Sequence, residues 1–99
     1  MPSLEFVKSE LVKFFKNQPV ERAWLFGSYA RGEQTPHSDI DILVNFDEEN
    51  YPSLLRHSAM ICDLEDKFNT KIDLVPEESL YPSVKNEIEK EKILIYEID

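Results

Sequence analysis

The sequence predicts an α/β or α+β domain in which helices flank a small sheet of about four strands. The 99 residues fit one folding unit, since such units usually have about 50–250 residues. Hydrophobic residues make up 41% of the chain and charged residues 31%, a balance typical of globular proteins. Short β-branched and apolar runs alternate with segments of helical spacing. We therefore expect a single domain over residues 1–99.

The first half of the chain predicts two helical segments and two strands. Residues 4–17 place apolar side chains at helical spacing, and Pro19 follows that segment. Residues 20–26 are typical of a strand closed by a glycine. Residues 28–32 predict a short helical turn with Ser28 as its N-cap. Residues 39–46, DIDILVNF, form the strongest strand pattern in the sequence.

The second half repeats this alternation. An acidic connection over residues 47–52 leads to a predicted helix over residues 53–68. Its apolar positions, which we expect to be partly buried, are Leu54, Leu55, Ile61, Cys62, Leu64 and Phe68. Residues 71–75 predict a short strand stopped by a proline, residues 77–92 a helix after Pro82, and residues 93–98 a last strand. The direction of the last strand stays open.

Charge and composition exclude several classes of protein. The net charge is −9, and no basic stripe of the kind that binds DNA or RNA is visible. A nucleotide held through divalent cations, or a basic protein partner, remains compatible with this acidity. No apolar run approaches the roughly 20 residues of a membrane span, and no signal-peptide pattern begins the chain. Cys62 is the single cysteine, so we expect the protein to be located in a reducing cytoplasm. We expect Cys62 itself to be a small core residue.

The segment GSYARGEQTPHSDIDILV, residues 27–44, contains the residues that point to chemistry. Gly27 and Ser28 are followed, after ten residues, by Asp39 and Asp41 in a D-x-D pattern. A chance match of these four positions is on the order of one in a thousand for average residue usage. The pair G-S follows one predicted strand, and D-x-D opens another.

The spacing of the two aspartates suits a divalent cation. Strand side chains alternate between faces, so Asp39 and Asp41 project on one side about 6–7 Å apart. Ile40, Ile42 and Val44 then point into a core. Carboxylates at this spacing can bind hard divalent ions.

The glycine and serine suit a phosphate. Gly27 permits close approach of a ligand to the backbone, and the N–H groups of the turn at Ser28 can bind an anion. A nucleoside triphosphate between this turn and the metal-binding strand would satisfy both elements. Asp73, flanked by the apolar Ile72 and Leu74, is the candidate third carboxylate. Clustered carboxylates repel, so without metal at least one of them should have a raised pKa.

Together these residues resemble the nucleotidyltransferase fold of the DNA polymerase β superfamily, in particular its minimal nucleotidyltransferase (MNT) branch. The resemblance covers nearly the whole chain. It implies a palm-like mixed sheet flanked by helices, in which Asp39, Asp41 and Asp73 bind two Mg²⁺ ions. Asp73 would also act as general base, the usual role of the third carboxylate in this family.

The same resemblance implies the substrate and the partner. Gly27 and Ser28 would bind the triphosphate of ATP, and Arg31 and Ser38 would lie near the nucleotide. Minimal members are often encoded beside a HEPN-domain ribonuclease toxin, and they act as its antitoxin by transferring AMP to a tyrosine hydroxyl. We therefore expect a hetero-oligomer with such a toxin and no direct binding to DNA or membranes.

Alternative interpretations remain for single residues. Asp73 can be a solvated strand residue, Arg31 a surface ion-pair partner, and Ser38 a brace of the loop before Asp39. His37 and His57 have no spaced partners for zinc, which favours loop and helix-surface positions. For Trp24 and Phe26 the favoured position is the core, and the alternative is stacking against adenine.

Two alternative functions also remain. The chain can neutralise its partner by occlusion, with weak or absent catalysis. It can also be a small-molecule nucleotidyltransferase that works with a separate helical subunit.

Overall fold

The structure, a computed structural model, describes residues 2–98. Eight helices and strands alternate along this range, and two short 3₁₀ turns, Glu48–Asn50 and Glu77–Ser79, lie between them. The elements are α1 (Leu4–Phe15), β1 (Val20–Phe26), α2 (Gly27–Arg31), β2 (Ile40–Phe46), α3 (Leu54–Phe68), β3 (Ile72–Pro76), α4 (Pro82–Glu89) and β4 (Ile93–Glu97).

The four strands form one mixed sheet in the order β3-β2-β1-β4. Strand β1 pairs antiparallel with both β2 and β4, whereas β2 and β3 are parallel. A parallel pair needs a crossover connection, and α3 lies in that connection. The predicted mixed sheet of about four strands flanked by helices is confirmed, and β4 runs antiparallel to its neighbour.

The core lies mainly on one face of the sheet. Ile40, Ile42 and Val44 of β2 are fully buried there, as their alternation predicts. Residues Ile72 and Leu74 of β3 belong to the same cluster. The helices α1 and α3 supply Val7, Leu11, Phe15, Met60, Leu64 and Phe68. This face fixes β2 and β3 side by side, which leaves Asp41 and Asp73 on the other face.

A smaller cluster covers that other face. It consists of Trp24, Leu43 and Ile88, with Phe26 packed against it. The Lys92 ammonium lies 4.2 Å from the centroid of the Trp24 ring. Both aromatic residues therefore pack in the core, the favoured of their two predicted positions.

The buried face of α3 differs from the prediction. Leu54 and Leu55 are 86% and 84% exposed, and Cys62 is exposed as well. The expectation that Cys62 lies in the core was wrong, and Leu54 and Leu55 lie outside the buried side of the predicted, partly buried helix. At 3.6 residues per turn, Leu55 and Cys62 share a face opposite that of Met60 and Leu64, and Leu54 lies in the first turn. The apolar residues of this segment occupy two faces, and only the one that contacts the sheet is buried.

Some element boundaries also differ. The N-cap of α2 is Phe26, which makes no side-chain capping bond. The prediction that Ser28 is the N-cap was therefore wrong. Asp39 lies just before β2 rather than on it, and Pro76 ends β3 instead of following it. The predicted helix over residues 77–92 is a 3₁₀ turn followed by the shorter α4.

Within residues 2–98, no helix combines the length and the apolar composition needed to cross a membrane.

Candidate active site

Asp41 and Asp73 lie opposite each other on neighbouring strands. In the parallel register of β2 and β3, Asp41 pairs with Asp73, and neighbouring strands are about 4.8 Å apart. Their side chains are within hydrogen-bonding reach of each other. The sequence-predicted third carboxylate is thus next to the D-x-D segment, on the face away from Ile72 and Leu74.

This pair is electrostatically strained. Burial is the largest cause that raises the pKa of Asp41, and the side-chain hydrogen bond with Asp73 and the charges of Asp73 and Asp39 raise it further, from 3.8 to about 6. The Arg31 guanidinium acts in the opposite direction. The raised pKa agrees with the prediction that clustered carboxylates repel in the absence of metal.

Asp39 is the outlying member of the acidic group. It precedes β2, and its negative charge reaches Asp41. Among residues 2–98, no three acidic, histidine or cysteine side chains converge in a position to ligate one ion. The arrangement is therefore a close pair of carboxylates with a third nearby. Its hard oxygen donors and unbalanced negative charge fit a divalent cation such as Mg²⁺.

Gly27 brings the Gly-Ser turn onto the acidic pair. Its φ is +71°, and a Cβ atom at this position would lie 2.1 Å from Oδ2 of Asp41. The preceding Phe26 pairs with Asp41 across β1 and β2. Only glycine permits both the left-handed backbone and this approach. The Gly-Ser turn thus adjoins Asp41, one of the metal-binding candidates.

Ser28 lies half-buried in α2. Its carbonyl oxygen accepts hydrogen bonds from the backbone N–H groups of Gly32 and Glu33. These bonds close the turn behind Ser28. The Ser28 hydroxyl, which is the group predicted to contact phosphate, takes no part in these two bonds.

Arg31 and Ser38 take part in other contacts near this site. Arg31 donates through Nε to Glu33 and through Nη1 to Glu91, at 2.8 Å in each case. The Ser38 hydroxyl accepts the Thr35 backbone N–H at 2.8 Å. Both residues have the structural roles considered as alternatives for them, and both remain within the segment that connects the Gly-Ser turn to Asp39.

Glu91 is a site residue that sequence reasoning missed. One carboxylate oxygen, Oε2, accepts the Gly27 backbone N–H at 2.8 Å and the Arg31 Nη1–H at 2.8 Å. Glu91 is 64 residues from Gly27 along the chain and stands among similar charged residues. No local pattern could have distinguished it.

The histidines and Trp24 lie outside the acidic group. His37 is exposed in the loop before Asp39. The Nε2 atom of His57 lies 2.9 Å from the Leu74 carbonyl oxygen, between α3 and β3. Lys92 covers the ring of Trp24, so this ring face is not open to an adenine.

The fold and the site define a nucleotidyltransferase. The sequence profile of the nucleotidyltransferase domain family matches residues 8–95, and the chain belongs to this family. The profile includes the Gly-Ser turn, the D-x-D segment and Asp73.

Two similar proteins are named as protein adenylyltransferases. A Methanocaldococcus jannaschii protein named as a protein adenylyltransferase is 44% identical, over 96% of this chain and 100% of its own length. The protein adenylyltransferase MntA of Thermococcus cleftensis is 37% identical, over 77% of this chain and 75% of its own. The chain is thus similar to proteins that are named as protein adenylyltransferases.

Solved structures share the fold. One described as a minimal nucleotidyltransferase superposes with a TM-score of 0.78 at 30% identity, covering 93% of this chain and 95% of that one. A toxin–antitoxin complex with AMP-PNP gives 0.79 at 20% identity, covering 93% and 74%. A tri-AMPylated Shewanella oneidensis HEPN toxin in complex with an MNT antitoxin gives 0.73 at 16% identity, covering 96% and 73%.

Proposed function

We propose that this nucleotidyltransferase transfers AMP from ATP, in a Mg²⁺-dependent reaction, to a tyrosine hydroxyl of a HEPN-type ribonuclease toxin and thereby acts as its antitoxin. The contact between Gly27 and Asp41 carries the proposal, because it places the Gly-Ser turn directly on the Asp41–Asp73 pair. The relatives named as protein adenylyltransferases support the reaction. The AMPylated HEPN toxin with its MNT antitoxin supports the partner.

The acidic residues would hold the metal ions. We assign Asp39, Asp41 and Asp73 to two Mg²⁺ ions, since oxygen donors suit this ion and Asp41 and Asp73 pair directly across β2 and β3. Mg²⁺ held there would lower the pKa of the attacking hydroxyl and neutralise charge on the triphosphate. Binding would also offset the burial and the neighbouring negative charges that raise the pKa of Asp41.

The remaining roles follow from position. Gly27 and Ser28 would hold the triphosphate, with Arg31 and Ser38 near the nucleotide. Asp73 is exposed, so an incoming hydroxyl can reach it and give up its proton there. The hydroxyl oxygen then attacks the α-phosphorus in line, a new P–O bond forms, and the bond to pyrophosphate breaks. The contribution of the chain is chiefly positioning and electrostatics.

The acidic character of the chain favours a protein acceptor. A net charge of −9 opposes the approach of a polynucleotide or an anionic membrane and attracts a basic protein surface. We therefore propose a hetero-oligomer with the toxin. The domain would be residues 1–99, and the single cysteine suits a cytoplasmic location.

Transfer of labelled AMP tests the proposal. The protein is incubated with the HEPN-type partner, labelled ATP and Mg²⁺, and label on the partner is measured. The variant Asp39→Ala with Asp41→Ala should lose at least about 100-fold of the rate, since it removes groups that stabilise the transition state. Asp63→Ala with Asp66→Ala, two exposed aspartates on α3, is the matched control and should retain wild-type transfer.

Two results would contradict adenylylation of the partner. Neutralisation of the toxin that the Asp39→Ala, Asp41→Ala variant retains in full would show that occlusion is sufficient. Transfer of label only to a small molecule, with the partner unlabelled, would show a different acceptor.

A further inference from the structure

Glu91 joins two parts of the candidate site from the opposite side of the Gly-Ser turn. Its Oε2 atom accepts hydrogen bonds from the Gly27 backbone N–H and from Arg31 Nη1. Gly27 begins α2 and Arg31 ends it. One carboxylate therefore binds both ends of the segment that contains Ser28.

The position of Glu91 follows from the sheet. In the antiparallel register of β1 and β4, Leu25 pairs with Ile93. Gly27 lies two residues after Leu25, just past the end of β1, and Glu91 lies two residues before Ile93, so the two meet at the same level. The backbone ladder has ended at this level, and the Glu91 side chain takes the place of a backbone acceptor for the Gly27 N–H.

Gly27 is thus held from both sides. On one side, its backbone is so close to Asp41 that an added Cβ would lie 2.1 Å from Oδ2. On the other side, Glu91 accepts its N–H at 2.8 Å. The Gly27 backbone therefore lies between Asp41 of β2 and Glu91, which precedes β4, and it has little freedom to move.

Glu91 also holds the Arg31 guanidinium in place. Of the two carboxylates on Arg31, that of Glu33 is 65% exposed and that of Glu91 only 23%. Exposed ion pairs contribute little, whereas a partly buried carboxylate with two donors is a stronger and better-oriented partner. Glu91 is therefore the better-oriented of the two carboxylates that hold the Arg31 guanidinium at the end of the turn.

We propose that Glu91 is a positioning residue that holds the Gly27–Arg31 turn in the form that binds the triphosphate. The proposal rests on the function proposed above. Glu91 touches neither the reacting atoms nor the acidic pair, and it acts through Gly27 and Arg31. Its removal should weaken nucleotide binding more than it slows the chemical step.

Steady-state kinetics of AMP transfer test this role. In Glu91→Ala, which removes both bonds, the KM for ATP should rise about tenfold or more while kcat changes by less than about threefold. Glu91→Gln keeps an acceptor for the Gly27 N–H but loses the ion pair with Arg31, so its KM should lie between those of the wild type and Glu91→Ala. Glu87→Ala is the matched control, since Glu87 on α4, four residues before Glu91, makes an exposed pair with Lys90, and it should retain the wild-type KM.

The outcomes separate this role from others. An unchanged KM in Glu91→Ala, or tighter nucleotide binding, would overturn the proposal, the second result making Glu91 a competitor of the triphosphate. Should Glu91→Ala fail to fold by circular dichroism, Glu91→Gln decides: a KM at least about threefold above wild type supports the role, and a wild-type KM overturns it.

Direct binding of a nonhydrolysable ATP analogue with Mg²⁺ separates this proposal from the function on which it rests. A wild-type chain that binds no nucleotide would overturn both. Normal wild-type binding and transfer, with the same values in Glu91→Ala, would overturn the role of Glu91 alone.

Discussion

Asp41 adjoins Gly27 and pairs with Asp73, so it lies at the centre of the candidate site. Its pKa of about 6 lies above the ordinary value of 3.8, chiefly because of burial and secondly because of Asp73. In the unliganded protein, this carboxyl favours the folded state fully below about pH 4. That contribution is lost as the pH rises through about 6, because ionisation is easier in the unfolded chain.

Asp41→Asn should therefore stabilise the unliganded protein at pH 8. We expect a gain of about 1 kcal/mol in the free energy of unfolding, a value reduced for the partial exposure of the site. The gain should disappear near pH 4. Urea unfolding at the two pH values measures it. Asp63→Asn, on the exposed face of α3, should change stability by less than about 0.5 kcal/mol, and an equal effect of the two variants would contradict the strain at Asp41.

The two glycines provide a second comparison at the scale of single residues. Gly27 and Gly32 both have a φ of +71°, but only at Gly27 would a Cβ meet another atom, Oδ2 of Asp41. Gly32→Ala should cost about 1 kcal/mol, from backbone strain alone. Gly27→Ala should cost about 3 kcal/mol or more and abolish AMP transfer, because it also displaces Asp41.

Thermal unfolding and the transfer assay check this prediction. Gly32 serves as the matched control, since its φ is the same as that of Gly27. Equal losses of stability in the two variants would show that the contact with Asp41 does not constrain the turn.

Residues of the site differed in how far the sequence could predict them. Gly27, Ser28, Asp39 and Asp41 lie in one short segment with a recognisable spacing, and the flanking apolar residues of Asp73 predict the face it occupies. Glu91 reaches Gly27 only because β4 pairs with β1. Such a pairing depends on the three-dimensional arrangement, and no local pattern contains it.

At the scale of elements, helix α3 shows where periodicity reached its limit. Its position between β2 and β3 was predictable, since parallel strands need a crossover. Its buried face was not, because apolar residues occupy both sides of the helix. The register of the parallel strands, which brings Asp73 opposite Asp41, likewise depends on how the core packs beneath them.

Substitutions on the two faces of α3 should differ strongly. Leu54→Ser and Leu55→Ser should each change the free energy of unfolding by no more than about 0.5 kcal/mol, because both side chains are already exposed to water. Leu64→Ala should cost about 3 kcal/mol, because Leu64 is fully buried against the sheet. Chemical denaturation of the three variants measures this. A large loss in the Leu54 or Leu55 variant would contradict the observed orientation of the helix.

At the scale of the whole molecule, the main hydrophobic core and the candidate site lie on opposite faces of the sheet. One face packs α1 and α3 into the main core. The other face carries Asp41 and Asp73 beside the Gly-Ser turn. The sequence predicted this division because apolar and acidic residues alternate along β2 and β3.

The acidic charge of the whole chain makes nucleotide binding depend on metal. A chain with a net charge of −9 repels a triphosphate, and the Asp41–Asp73 pair adds to this repulsion locally. Divalent cations bound between the carboxylates and the phosphates would reverse the sign of the interaction. Affinity for ATP should therefore be negligible without Mg²⁺ and substantial with it.

Isothermal calorimetry with a nonhydrolysable ATP analogue tests this central claim most directly. The wild type and Asp63→Asn with Asp66→Asn should bind the analogue in Mg²⁺ and lose binding in EDTA. Asp41→Asn with Asp73→Asn should weaken binding by at least about tenfold while the protein remains folded. Equal affinity with and without Mg²⁺, or undiminished affinity in the Asp41→Asn, Asp73→Asn variant, would contradict the account.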